Sequence, residues 1–118
     1  SYEVVDGVPT IKRLSEMDFI DDKEGKPVGI YRQIGIKPVI CVGNSDGDLQ
    51  MMEWTHSNAY SSLKIYVHHT DSVREWAYDR DSHIGKFDVA LDRALNENWT
   101  LIDMAKDWNR IYPFEPEK

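Results

Sequence analysis

The sequence predicts an α/β fold with a largely parallel sheet, and three observations carry that expectation. A continuous apolar run at 37–42 ends in a Gly/Asp-rich loop. A second apolar run at 62–68 follows a stretch of helical spacing. An amphipathic stripe beginning at Ser82 leads to a third extended run, 100–104. Strand, helix, strand, helix, strand is the alternation that builds parallel sheets with helical crossovers. At 118 residues the chain has the length of one domain.

Taken in order, Tyr2–Val5 and 10–14 read as the strands of a hairpin turning at Asp6-Gly7. Pro9 weakens the start of the second strand. Residues 1–20 thus form a hairpin and connecting segment, and 21–113 form the α/β part. Asp21 to Gly25 is a polar loop. Lys26-Pro27 opens a short helix, since proline in the first turn costs no hydrogen bond. Val28, Ile30, Tyr31 and Ile34 give it an apolar stripe, and Gly35 closes it.

The run 37–42 suits a strand covered on both faces. A helix follows over about 46–54, with Leu49 and Met52 at helical spacing. The strand 62–68 places Leu63, Ile65 and Val67 on one face. Thr70 or Asp71 can cap a helix reaching about Tyr78. Ile84, Phe87, Leu91, Ala94 and Leu95 form the stripe of a longer helix from Ser82, which Asn98 ends. From Pro113 the tail is acidic.

Charge narrows the function. There are 14 basic and 21 acidic residues, a net charge of −7. Nucleic-acid binding wants a basic face, so it is not expected. Anionic substrates are repelled at long range, and a phosphate ester would need a metal to supply local positive charge. No apolar run is long enough to cross a bilayer, and no basic-then-apolar leader opens at Ser1. Neither a membrane partner nor a signal peptide within these residues is expected. Cys41 is the single cysteine and sits in the apolar run 39–42, which predicts a buried core residue and no disulfide.

Ligands of parallel α/β sheets bind outside the carboxyl ends of the strands. Two polar clusters fall there: 43–48 (Gly-Asn-Ser-Asp-Gly-Asp) and 68–71 (His-His-Thr-Asp). The first brings amide and carboxylate oxygens close together, as a hard cation requires. An EF-hand loop would need Gly and Glu where Leu49 and Thr55 stand, so that reading fails. A strand-to-helix turn with no ligand is the plainer alternative. His68 and His69 alternate across a strand end, so at most one faces the site. His56 and His83 read as surface residues. Trp54, Trp76, Trp99 and Trp108 suit a core or an interface better than ligand stacking.

Residues 39–52 (Val-Ile-Cys-Val-Gly-Asn-Ser-Asp-Gly-Asp-Leu-Gln-Met-Met) resemble the fourth motif of haloacid dehalogenase-superfamily phosphatases. That motif is an apolar strand, Gly-Asp-Ser-x-x-Asp, then Leu-x-Met opening a helix. Lys26, 18 residues before Asn44, resembles the third-motif lysine. The stretches 18–30, 67–78 and 100–113 resemble a bacterial phosphoserine-phosphatase-like subgroup.

The resemblance implies a Rossmann-like, three-layer α/β/α core and Mg²⁺-dependent hydrolysis of a phosphomonoester through an aspartyl-phosphate. It makes Lys26 and Asp48 catalytic, and Asn44 and Asp48 metal ligands. Ser45, Asp46, His68 and His69 are candidates for contacts around the substrate or metal.

The family motif has Asp where this chain has Asn44. The nucleophile motif, Asp-x-Asp-x-Thr, occurs nowhere in the sequence. The resemblance therefore implies the carboxy-terminal half of a small-phosphoester hydrolase, inactive alone. Its missing amino-terminal half, or a second copy, would pair with the strand 37–42. The setting it implies is bacterial, cytoplasmic or exported. A non-catalytic metal- or partner-binding α/β domain is the alternative from another class. Dehalogenation or phosphonate cleavage is the alternative within the superfamily.

Overall fold

The computed structural model describes residues 1–115; the end of the acidic tail, 116–118, lies outside them. The elements are β1 (Tyr2–Val5), β2 (Val8–Ile11), α1 (Gly25–Ile34), β3 (Ile40–Gly43), α2 (Leu49–His56), β4 (Leu63–His68), α3 (Val89–Asn96) and β5 (Thr100–Asp103). One turn of 3₁₀ helix, Asp46–Asp48, joins the loop after β3 to α2. β3, β4 and β5 form a parallel sheet in that order, and β1 pairs with β2 in a separate antiparallel hairpin. The fold is mixed α/β. No helix among the described residues is long and apolar enough to cross a membrane.

The hairpin's second strand begins at Val8 rather than at residue 10. Asp6 and Gly7 have φ of 50° and 79°, the left-handed pair of a tight two-residue turn, so Val8 pairs with Val5 at once. Pro9 is tolerated because a two-stranded hairpin is all edge. The register puts Tyr2, Val4, Pro9 and Ile11 on one face, and all four are exposed. The radius of gyration is 18.9 Å. A compact chain of this length has about 13–14 Å.

The core lies on one side of the sheet. Tyr66 of β4 is fully buried, with Phe87 at 4.8 Å and Trp99 at 6.3 Å between ring centroids. Cys41, Met52, Ala90, Leu91 and Ala94 complete it, so α2 and α3 share this face. The Cys41 thiol donates to Met52 Sδ at 2.9 Å, and burial pushes its pKa up. It is the inert core cysteine that its apolar neighbours predict.

Four expectations need correction. First, β3 is not covered on both faces. Cys41 is buried, but its neighbours Ile40 and Val42 are 60% and 53% exposed. Alternation and register place the exposed Leu63 and the half-buried Ile65, Val67 and Ile102 on that same face. No helix among the described residues covers it, so a three-layer arrangement is not seen there. Second, no residue of the α1 stripe is fully buried: Val28, Tyr31 and Ile34 are exposed and Ile30 is half-buried.

Third, no helix forms over 71–78. Asp71 accepts the amides of Val73 and Arg74 as a cap would. Its carboxylate also binds the Arg74 guanidinium, whose other nitrogens reach the carbonyls of Met104, Trp108 and Asn109. The amide of Tyr78 goes to His69 O at 3.0 Å, which turns the chain back and ends any helical ladder. Fourth, α3 starts at Val89, not Ser82. Gly85 takes φ +68°, which breaks a helix, and Ile84 is exposed. Phe87 reaches the core from the loop.

Candidate active site

The site is built at the carboxyl end of β3. Asp48 closes the short 3₁₀ turn and is 5% exposed. Its Oδ2 accepts the amides of Asn44 at 2.9 Å and Ser45 at 3.2 Å, so the loop folds around the carboxylate. Gly43 permits this: a Cβ there would lie 2.6 Å from Asp48 Cβ. Asp48 Oδ1 accepts Lys26 Nζ at 2.5 Å. Lys26 comes from the first turn of α1, so one ion pair ties that helix to the loop after β3. A cation and a carboxylate held together at low exposure have exchanged hydration for each other.

The six-residue loop divides its labour. Ser45 and Asp46 shape it. Asp46 Oδ1 accepts the amides of Asp88 and Ala90, each at 2.9 Å, and so caps α3. That role leaves Asp46 turned toward a helix end. Asn44 donates Nδ2 to the Tyr78 hydroxyl at 2.5 Å, which leaves its side-chain carbonyl oxygen as the atom it can offer a ligand.

The two histidines part company. His68 Nε2 pairs with Asp79 Oδ2 at 3.1 Å, and its ring meets Phe87 edge-on. His69 Nδ1 pairs with Glu75 Oε2 at 2.9 Å and stacks on Tyr78 at 4.6 Å. His69 therefore reaches the site through Tyr78, while His68 braces the loop before α3.

Sequence reasoning missed two neighbours. Tyr78 lies 34 residues beyond the Asn44 that it holds. Asp22 sits in a loop that reads as merely polar, yet its Oδ1 lies 2.8 Å from where a Cβ of Gly47 would stand. No local pattern announces either contact.

The residues bear on a divalent cation as follows. Both lone pairs of Asp48 Oδ2 face amides and one of Oδ1 faces Lys26, which leaves one lone pair on Oδ1. Asn44 adds a carbonyl oxygen. Among the described residues no group of three or more His, Cys, Asp or Glu could hold a metal. Mg²⁺ is commonly held by only one or two side chains, with waters and substrate phosphate completing the shell. Asn44 and Asp48 fit such a partial shell and no more.

No protein-family model matches the chain, and no curated protein matches it.

Proposed function

We propose that these residues supply the lysine and the metal-binding loop of a Mg²⁺-dependent phosphomonoester hydrolase of the haloacid dehalogenase type. The observation that carries the reading is the Lys26–Asp48 pair at 2.5 Å, at the carboxyl end of a parallel strand, beside an Asn44 with a free carbonyl oxygen. In that reading the three-stranded sheet is part of a Rossmann-like core. The open face bearing Ile40, Val42 and Leu63 supports it, because parallel sheets are normally covered on both sides.

The chemistry follows from charge. A phosphate ester and a carboxylate nucleophile are both anionic, and they meet only where positive charge offsets them. Lys26 would donate to a phosphoryl oxygen, and its contact with Asp48 holds the ammonium in place for that. Asn44 and Asp48 would hold Mg²⁺, which adds positive charge at the phosphate. Tyr78 fixes the Asn44 amide with its carbonyl oxygen available. No residue here takes the part of nucleophile, which belongs to the other half of the domain.

The test is Mg²⁺-dependent hydrolysis of p-nitrophenyl phosphate by the complete gene product. Lys26→Ala and Asp48→Ala should each lower kcat by at least about 10²-fold, the scale of removing one electrostatic stabiliser. Full turnover in either variant rejects the assignment.

A further inference from the structure

Beside Asn44 opens a cavity of about 440 Å³, lined by Trp76, Tyr78, His83, Ile84 and Gly85 among others. We propose that it receives the organic group of the phosphomonoester, and that this group is a plain aromatic ring. The inference rests on the phosphatase reading, which places the phosphate on Lys26 and Asn44.

Tyr78 is common to both places. Its hydroxyl holds the Asn44 amide, and its ring forms the cavity wall. The wall is rigid. His69 stacks on the Tyr78 ring, and Gly85 comes so close that a Cβ there would lie 2.7 Å from Tyr78 Cε2. Trp76 and Ile84, both in the lining, are 83% and 87% exposed, which is costly for such large apolar side chains.

The lining is mostly apolar, and of its two hydroxyls only that of Tyr78 keeps a proton to donate. Ser82 Oγ donates to Ile84 O at 2.6 Å, and the Tyr78 hydroxyl accepts from Asn44. His83 lies at the exposed rim. A nucleobase brings several donors and acceptors along its edge, most of which so apolar a lining would leave unmatched. A phenyl ring has none, and it gains from aromatic contact with Trp76. The observations thus favour an aryl phosphate over a nucleotide or an alkyl phosphate.

Calorimetric titration of the 118-residue chain in Mg²⁺ with phenyl phosphate, glycerol 1-phosphate and cytidine 5′-monophosphate tests this. Phenyl phosphate should bind about fivefold or more tighter than the other two, the scale of one aromatic contact. Trp76→Ala should abolish that preference and leave glycerol 1-phosphate unchanged. Ile84→Ser, at another exposed position, should weaken the preference in the same direction. Lys26→Ala should weaken all three esters together. Binding that responds to Lys26→Ala but shows no aryl preference overturns this inference and keeps the phosphatase reading. Esters that ignore Lys26→Ala, or that do not bind, overturn both.

Discussion

The Lys26 ammonium and the Asp48 carboxylate meet at 2.5 Å across 22 residues of sequence. The pair joins the first turn of α1 to the loop that ends β3, so the site's charge is set by how these two elements dock. Asp48 is buried while Lys26 keeps partial access to water, an arrangement in which the lysine can face an incoming anion.

Lys26→Met should therefore be felt in stability as well as in binding. It leaves Asp48 buried with two amide bonds and no cation. The expected loss is roughly 1–3 kcal/mol, the cost of an unpaired buried polar group. Urea denaturation checks it through the midpoint, and an unchanged midpoint would mean that the pair is not formed in solution.

Asp46→Ala should separate structure from chemistry. Asp46 accepts two amides at the start of α3. Its loss should cost about 1–2 kcal/mol, as for other helix caps. Phosphate affinity should stay within twofold of wild type. A selective loss of affinity with no loss of stability would place Asp46 at the ligand instead.

Acid should weaken the fold at the carboxyl ends of β4 and β5. Hydrogen bonds from the Arg74 backbone and guanidinium hold the Asp71 carboxyl at about 2. The Thr70 hydroxyl and Lys106 hold Asp103 at about 2. Ordinary carboxyls titrate near about 4, so the folded state binds fewer protons than the unfolded one. The stabilisation is complete above about pH 4 and is lost as pH falls toward about 2. Urea midpoints at pH 5 and pH 3 should show a smaller difference in Asp71→Asn than in wild type. Equal differences would remove Asp71 from the account.

Association is a further consequence of the fold. The open face of Ile40, Val42 and Leu63 adjoins the free edge of β3, whose amides and carbonyls template pairing with another strand. Light scattering on the purified chain should show dimers or larger species that Val42→Lys reduces. A monodisperse monomer at high concentration would show that this face is covered in solution.

The parallel β-α-β alternation is legible in the sequence because apolar runs and turn signals are local. So is the reach of β1, since Asp6-Gly7 dictates the turn. The missing helix over 71–78 is not, because it depends on Asp71 being claimed by an arginine that also grips 104–109. The late start of α3 is half legible: Gly85 announces a break, but the apolar spacing through Ile84 outweighs it. Within the site, Lys26, Asn44 and Asp48 stand out in the sequence only through the resemblance to a family motif. Asp46 as a cap and Tyr78 as a partner of Asn44 are contacts between distant segments, and no spacing encodes them.

The central claim is that Lys26 and the Asp48 loop bind phosphate. A ³¹P NMR titration of inorganic phosphate into the chain, with and without Mg²⁺, tests it most directly. Saturable binding that tightens with Mg²⁺ and disappears in Lys26→Ala is expected. Binding of equal strength in wild type and Lys26→Ala, or none in either, would contradict it.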